Sequence, residues 1–294
     1  MKKLRFALFG NTYQAKKSTS VQKILTTLEQ HEAQILIDRE FHQYLTQTLQ
    51  INVPPVEIID GDTFAAHFAI SMGGDGTFLE TARRVGDKQI PILGINMGRL
   101  GFLSDFQADD IDATIDSIYT QTYKIEHRTV LQVSPLQLAS HDISPYALNE
   151  IAVLKHDISS MISIRVDVSG QYLTTYQADG LIINTPTGST GYALAVGGAI
   201  MSPECDSIGI VPVAPHSLTV RPLILPSKAE ITLTIQSRSH SFLLSVDGRS
   251  LSLNENIRLN ISQAPYKIHV LKHEQDNYFQ TLRKKLMWGA DSRE

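Results

Sequence analysis

The sequence predicts an α/β domain with a parallel sheet, followed by an all-β, sandwich-like domain. The chain has 294 residues, which suggests two domains because a single domain takes about 150 residues as a rough guide. Strand-like and helix-like segments alternate up to about residue 125, as in a parallel sheet covered by helices. Beyond that point apolar and polar residues alternate with period two, as in half-buried strands. The expected boundaries are 1–125 for the α/β domain, 126–271 for the sandwich-like domain, and 272–294 for a C-terminal helix packing back on the first domain.

The α/β domain is predicted to begin with a strand at Leu4–Phe9. A helix follows over Lys17–Gln30, because its apolar residues recur at the spacing of one helical face. Asn52–Val56 contains two prolines and is predicted as a loop. The other elements continue the alternation, with strands at Ile35–Ile37, Phe68–Met72 and Ile90–Ile95 and helices at Arg39–Leu49, Thr77–Val85 and Ala108–Tyr123.

The second domain is predicted from short strands separated by turn residues. Met161–Val168 alternates before the turn at Ser169-Gly170, and Asp247-Gly248 is typical of a tight hairpin. Tyr278–Trp288 returns to helical spacing. Further strands are expected at Leu181–Ile183, Glu230–Gln236, Phe242–Val246, Ile257–Ile261 and Tyr266–Leu271.

Composition excludes several classes of function. The formal net charge is −4, so no basic surplus favours binding to nucleic acid or to an anionic membrane. No apolar stretch approaches the ~18 residues of a membrane span. Cys205 is the single cysteine, which excludes an intrachain disulfide and fits a reducing cytoplasm.

An acidic cluster at Asp109, Asp110 and Asp112 has the look of a metal site. Acidic residues in the first turn of a helix also interact favourably with the helix dipole. We favour the dipole interpretation.

The segment Gly73-Gly74-Asp75-Gly76-Thr77 lies between a predicted strand and a predicted helix. Adjacent glycines permit a tight turn and a close approach of the backbone to a ligand, and a helix N-terminus attracts anions. A carboxylate beside a phosphate site would serve as a general base or a metal partner. The alternative is that Asp75 caps a helix beginning near Thr77.

A second concentration of polar residues runs from Asp179 to Leu194. The buried strand Leu181–Ile183 leads into a turn rich in hydroxyl groups and glycines, which suit ribose and phosphate oxygens. Tyr192 is a candidate for stacking on a base. A loop between strands of a sandwich explains the same residues about as well.

In combination these motifs resemble the bacterial NAD kinases. The resemblance runs in consistent order from about residue 1 to about residue 290. The glycine–aspartate turn alone also occurs in lipid kinases. The other matching strings are Gly94–Leu103, Asn149-Glu150, Asp179–Tyr192 and Pro215–Leu223. The most specific of them are Asp179–Tyr192 and Leu100–Leu103.

The resemblance implies transfer of the γ-phosphoryl group of ATP to the 2′-hydroxyl of the adenosine ribose of NAD, with a divalent cation such as Mg²⁺. It implies an α/β N-terminal domain and a sandwich-like C-terminal domain. Asp75 would be the general base, with Gly76 beside it at NAD. The ATP phosphates would lie at Gly73, Gly74, Gly76 and Thr77. No protein metal ligand is implied.

The resemblance also implies a set of NAD contacts. Asn149 and Glu150 would bind ribose hydroxyls, and Asp179 the nicotinamide end, from a neighbouring subunit of a dimer or tetramer. The adenine and ribose pocket would be lined by Thr190, Gly191, Tyr192, Ala193, Leu194 and Ala195, with Tyr192 against the base.

Three positions depart from the family pattern, namely Gln177, Ser160 and Arg249. Gln177 stands where many members have arginine and Ser160 where some have histidine, while Arg249 replaces glutamine. Each is a candidate NAD contact whose role is open.

Two other functions are weighed beside the kinase. One is a lipid kinase of the diacylglycerol type, which would need a large apolar groove. The other is a non-catalytic sensor of NAD or NADP. Use of polyphosphate in place of ATP, acceptance of NADH, and feedback by NADP or NADPH are compatible with the resemblance.

Overall fold

The computed structural model describes residues 3–12, 18–98, 101–135, 143–157 and 160–289. The chain divides into two compact units. The first unit comprises Met1–His127 and Ile268–Glu294, and the second comprises Arg128–Lys267. The first unit is α/β and the second is β-rich, which confirms the predicted fold class.

The first unit is built on parallel strands in the order β3-β2-β1-β4-β5, with β6 pairing β5. Their interiors are apolar and buried, as expected for a sheet with both faces covered. The strands are β1 Arg5–Gly10, β2 Gln34–Asp38, β3 Glu57–Ile59, β4 Phe68–Gly73, β5 Ile92–Asn96 and β6 Phe106–Gln107.

Helices connect these strands. The first buries Val21, Ile24, Leu25 and Leu28 on one face, the face that the sequence spacing predicts. Its predicted start at Lys17 lies outside the described residues. The α-helices are α1 Ser18–Gln30, α2 Arg39–Gln43, α3 Asp75–Val85 and α4 Ile111–Thr120.

Some local predictions in the first unit differ from the structure. The helix predicted over Arg39–Leu49 changes after Gln43 into a π-helix at Tyr44–Thr48. The strand β3 was missed because it is only three residues long and follows a proline-rich loop. The helix predicted over Ala108–Tyr123 begins as a 3₁₀ turn at Ala108–Asp110 and ends at Thr120, because Gln121 adopts a left-handed conformation.

The second unit consists mainly of antiparallel strands. One sheet has the order β14-β13-β12-β9-β16-β17, and a second group has the order β11-β10-β15-β18, while β7 pairs β8. The first residues of β7 and the last residues of β18 belong to the first unit. The strands are β7 Tyr123–Ser134, β8 Tyr146–Ala147, β9 Glu150–Lys155, β10 Ile162–Val168, β11 Gln171–Ala178, β12 Gly180–Asn184, β13 Ser207–Val213, β14 Leu223–Pro226, β15 Ile231–Gln236, β16 Ser241–Val246, β17 Arg249–Asn254 and β18 Leu259–His273.

Two tight hairpins confirm the turn predictions. Ser169 and Gly170 have φ of 48° and 79°, and Asp247 and Gly248 have φ of 47° and 82°. Positive φ at both central residues is the conformation that matches the twist of the flanking strands. The two strands predicted within residues 257–271 are one 15-residue strand, β18.

The core of the second unit is shared by its two groups of strands. Ile164 and Leu233 come from one group, and Val153, Ile183 and Leu244 come from the other. All five belong to one buried apolar cluster, so the strands pack face to face like a sandwich.

Two short helical elements complete the described chain. The α-helix α5 spans Tyr192–Ala195, after a 3₁₀ turn at Thr187–Thr190. The helix α6, Tyr278–Leu286, belongs to the first unit. Among the residues that the structure describes, none of the helices is both long enough and apolar enough to cross a membrane.

Candidate functional site

The first unit carries a cavity of about 610 Å³ at the carboxyl ends of β1 and β4. These neighbouring strands are not consecutive in the chain, so the order of the sheet reverses between them. In open α/β sheets ligands bind in the crevice at such a reversal. The cavity is lined in part by Gly10, Gly74, Asp75 and Gly76.

The glycine turn gives the cavity an open backbone floor. A Cβ on Gly73 would lie 2.2 Å from Thr77 Oγ1, so no side chain fits there. A Cβ on Gly74 or Gly76 would meet nothing within 4 Å, so these glycines leave room for a ligand. The 11-residue helix α3 begins directly after Gly74 and directs its free N–H groups at the same place.

Asp75 is the first residue of α3, two positions earlier than predicted. Its carboxylate does not cap the helix, so the capping interpretation is wrong. Instead Oδ2 accepts a hydrogen bond from the backbone N–H of Phe102 at 2.9 Å, and Oδ1 accepts one from Leu103 at 2.9 Å. A Cβ on Gly101 would lie 2.2 Å from Asp75 Oδ1, so the carboxylate needs a glycine there.

The cavity is otherwise acidic. Asp38, Glu40 and Glu80 line it together with Asp75, and Arg84 also lines it. The Arg84 guanidinium pairs with Asp38 at 2.9 Å and stacks on the ring of Phe9 at 5.4 Å. Its charge is therefore largely balanced before any ligand enters.

The segment 101–105, whose backbone N–H groups hold Asp75, contacts the C-terminal part of the first unit. Lys272 of β18 and Lys285 of α6 both pair with the Asp105 carboxylate. Burial raises the pKa of Asp105, but the two ammonium groups outweigh it and hold the pKa below its ordinary value. The Lys285 ammonium also lies 5.9 Å from the centre of the Phe102 ring.

In the second unit, the start of β9 packs against the polar loop that follows β12. The Thr185 N–H donates to the Asn149 carbonyl at 2.9 Å, and the Thr185 hydroxyl donates to the Leu148 carbonyl at 2.5 Å. A Cβ on Gly188 would lie 2.1 Å from the Asn149 carbonyl oxygen. The glycine is therefore required for this close approach.

At the start of β9, the side chains of Asn149 and Glu150 each carry an acceptor oxygen without a hydrogen-bond donor in the described chain. Asn149 Oδ1 and Glu150 Oε2 are buried and have no hydrogen-bond partner within the described chain. Burial and the nearby charge of Asp247 raise the pKa of Glu150 to about 7, although the Tyr192 backbone N–H partly offsets them. Unsatisfied buried acceptors of this kind suit a ligand that brings hydroxyl donors.

Asp247 is a site residue that the sequence reasoning missed. Its carboxylate accepts hydrogen bonds from the backbone N–H groups of Leu148, Asn149 and Glu150 at 2.7, 2.9 and 3.0 Å. Burial raises its pKa to about 6 in spite of these bonds. The only sequence signal was the Asp-Gly turn, which indicates a hairpin and nothing about the chain about 100 residues earlier.

The predicted adenine-pocket residues lie together on the 3₁₀ turn and α5. Thr190 bonds back to the Thr187 carbonyl at 3.3 Å, and Tyr192 is exposed. Ala193 is fully buried and packs against Ile182 and Val211. Gly191 lies beside Glu150, since a Cβ there would be 3.1 Å from Oε2, while Leu194 is partly buried and Ala195 exposed.

The positions that depart from the family pattern fall in two places. Ser160 and Gln177 line one shallow cavity of about 430 Å³, and Gln177 Nε2 donates to Ser163 at 3.0 Å. Arg249 begins β17, and burial lowers its pKa. Asp179 pairs with Lys155 at 2.7 Å.

The acidic residues at the start of α4 make contacts with helix α1. No group of three or more histidine, cysteine, aspartate or glutamate side chains that could hold a metal ion occurs within the described part of the chain. Asp112 accepts a hydrogen bond from the Thr27 hydroxyl at 2.6 Å and pairs with Lys23 at 3.4 Å. These contacts join α4 to α1.

A helix N-terminus behind a glycine turn, with a carboxylate in the adjoining cavity, is suited to binding a phosphate group beside a candidate base. The family described as ATP-NAD kinase N-terminal domain matches residues 6–123, and that described as ATP-NAD kinase C-terminal domain matches residues 148–273. The chain belongs to the ATP-NAD kinase family, and the predicted kinase class and family are confirmed.

Similar proteins support this assignment. The NAD kinase of Bacteroides fragilis is 54% identical over 291 residues, which cover 99% of this chain and 100% of the relative. Yeast NADH kinase complexed with NADH has a TM-score of 0.84 at 24% identity, covering 98% of this chain and 89% of that one. An NAD kinase from Archaeoglobus fulgidus in complex with ATP has a TM-score of 0.75 at 24% identity, covering 97% and 99%. The two solved structures share the fold.

Proposed function

We propose that the protein transfers the γ-phosphoryl group of ATP to the 2′-hydroxyl of the adenosine ribose of NAD, forming NADP, with Asp75 as the general base. Family membership across both parts of the chain supports the reaction. The observation that carries the role of Asp75 is its carboxylate, held by two backbone N–H groups beside an open cavity.

The carboxylate of Asp75 can accept another hydrogen bond in addition to the two from the backbone. An ionised carboxylate offers about four acceptor positions, so the bonds from Phe102 and Leu103 leave room for a substrate hydroxyl. The same bonds restrict the rotation of the side chain and so preorganise it. A positioned base typically contributes ~10²–10⁴-fold to the rate.

The ATP phosphates are proposed to bind at Gly73, Gly74, Gly76 and Thr77. The open space at Gly74 and Gly76 and the N-terminus of α3 support this placement. Phosphoryl transfer has a loose transition state, so it depends mostly on positioning and on stabilising charge.

Mg²⁺ is proposed to enter as part of the ATP substrate. No group of three or more possible metal-ligating side chains occurs among the described residues. Mg²⁺ characteristically binds substrate phosphates with at most one or two carboxylates. Neutralising the triphosphate matters here because Asp38, Glu40, Asp75 and Glu80 line the same cavity.

The second unit is proposed to bind the adenosine part of NAD. The unsatisfied oxygens of Asn149 and Glu150 would accept hydrogen bonds from ribose hydroxyls. The exposed ring of Tyr192 is available to stack on adenine. Asp179 would contact the nicotinamide end, which requires competition with its ion pair to Lys155.

The active protein is proposed to be a homo-oligomer, either a dimer or a tetramer. Its proposed location is the cytoplasm. Leu218 is 88% exposed and Ile224 of β14 is 48% exposed, which supports a further protein contact on the second unit. Multi-angle light scattering measures the mass directly, and a monomer at assay concentrations would contradict this assembly.

The proposed reaction is tested by incubating the purified chain with ATP, Mg²⁺ and NAD and separating NADP by chromatography. Parallel reactions replace NAD by NADH or diacylglycerol, and ATP by polyphosphate. Formation of NADP with consumption of ATP is expected. Binding of NAD without any NADP would instead favour the sensor, and phosphorylation of diacylglycerol alone would favour the lipid kinase.

A further inference from the structure

We propose that Asp247 is a positioning residue for NAD binding, whose carboxylate fixes the backbone of residues 148–150 and thereby directs the side chains of Asn149 and Glu150 toward the nucleotide. The inference rests on the proposed function, because it takes the ribose hydroxyls of NAD as the ligand of those two side chains.

The contacts of Asp247 leave this backbone little freedom. Oδ2 accepts the Leu148 N–H at 2.7 Å, while Oδ1 accepts the N–H groups of Asn149 and Glu150 at 2.9 and 3.0 Å. The Asp247 N–H donates in return to the Glu150 carbonyl at 3.1 Å. Hydrogen bonds to an ionised carboxylate are shorter and stronger than neutral ones, so this set holds three consecutive peptide groups in place.

The hairpin by itself does not require a carboxylate. Asp247 and Gly248 have φ of 47° and 82°, and Asn-Gly forms the same turn as readily as Asp-Gly. The position of the turn explains why an aspartate occurs there. Because β16 pairs with β9 and Val246 lies opposite Ile151, the turn comes next to the first residues of β9.

The residues held in this way carry acceptors available to a ligand. Asn149 Oδ1 and Glu150 Oε2 are buried and have no partner among the described residues. Their own backbone N–H groups are occupied by Asp247, so these side chains start from a fixed geometry. Preorganisation of this kind raises the affinity for a ligand, because less conformational entropy is lost when the ligand binds.

Asp247 also acts on Glu150 through its charge. It is the charged neighbour that raises the pKa of Glu150, after burial. The Tyr192 backbone N–H faces the same carboxyl group from α5 and favours its ionisation. On β12 the residue opposite Glu150 is the neutral Asn184. Removal of the Asp247 charge should therefore let Glu150 ionise at a lower pH.

The test is Asp247→Asn in the full-length protein, with NAD binding measured by calorimetry between pH 5.5 and 8.5. Asparagine tolerates the positive φ but lacks the charge and one acceptor. We expect the Kd for NAD to rise at least ~10-fold and the KM for ATP to change less than ~2-fold. The pH midpoint of NAD binding should move to lower pH. Ser169→Asn, at the first position of the other tight hairpin, is the matched control and should change neither.

Wild-type affinity and an unshifted pH midpoint in Asp247→Asn would overturn the proposal, even if the melting temperature fell. Should that variant misfold, Asp247→Gly keeps the positive φ without the carboxylate, and the same outcomes apply to it. NADP formation by the wild-type protein is measured alongside. A wild-type protein that binds NAD but makes no NADP contradicts the proposed reaction, whereas the binding comparison still decides the role of Asp247.

Discussion

Asp75 in the first unit and Asp247 in the second are both held by consecutive backbone N–H groups. Asp75 accepts two such bonds, from Phe102 and Leu103. Asp247 accepts three, from Leu148 and the two residues after it. In each case the donors lie distant in sequence, so each aspartate joins two segments of its own unit.

The surroundings of the two carboxylates differ. Asp75 borders a cavity of about 610 Å³ next to the open floor at Gly74 and Gly76. The carboxyl group of Asp247 is buried, and burial raises its pKa to about 6. The same kind of anchoring therefore yields an accessible group suited to chemistry in one unit and an internal support in the other.

Gly101→Ala should disturb the accessible carboxylate most strongly without removing it. The new Cβ would lie 2.2 Å from Asp75 Oδ1, so the side chain or the loop must move. Since small displacements of a catalytic group are costly, we expect kcat to fall by roughly 10²-fold. Steady-state kinetics with the melting temperature as a folding check measures this, and an unchanged kcat would show that the position of Asp75 is not critical.

Lys285→Met should weaken the segment that holds Asp75 from a distance. The variant loses the ion pair to Asp105 and the contact with Phe102, while Lys272 still balances the carboxylate. We expect a loss of about 1–3 kcal/mol in the free energy of unfolding and a decrease in kcat of roughly threefold or more. Chemical denaturation and kinetics measure both quantities.

Lys284→Met is the matched control, because Lys284 is an exposed neighbour on the same helix. It should leave both quantities within error of the wild type. Equal effects of the two substitutions would mean that α6 contributes only general stability.

Glu150→Gln should change the pH dependence of stability. Because folding raises the pKa of Glu150 from 4.5 to about 7, its ionisation opposes folding. The penalty is absent below about pH 4.5 and complete above about pH 7. The glutamine variant should therefore have a free energy of unfolding higher than that of the wild type at pH 8, by on the order of 1–3 kcal/mol, and a higher melting temperature, and it should match the wild type near pH 4.5. Equal melting temperatures at pH 8 would contradict the claim that ionisation of Glu150 opposes folding.

Elements with strong periodicity could be predicted from the sequence. Helix α1 and the hairpins at Ser169-Gly170 and Asp247-Gly248 follow from local spacing and turn chemistry. The π-helix at Tyr44–Thr48 could not be predicted in this way, because its apolar residues fit an α-helix as well. The continuous strand β18 was divided in the prediction because Pro265 interrupts the alternation.

The predictable part of the candidate site was the part with local signatures. The glycines around Asp75 indicate a turn independently of tertiary contacts. The partners of Asp75, Asp105 and Asp247 are separated from them by 27 to 180 residues, so no local pattern contains them. Such contacts follow from strand order and register, which a single sequence does not specify.

The central claim is that the Asp75 carboxylate takes the proton from the 2′-hydroxyl of NAD. Single-turnover formation of NADP by Asp75→Asn tests it most directly, with Asp87→Asn, an exposed aspartate just beyond the same helix, as the control. We predict a rate reduced by ~10²–10⁴-fold, an NAD affinity within a few-fold of the wild type, and full activity in the control. A rate of about half the wild-type value in Asp75→Asn would contradict the claim.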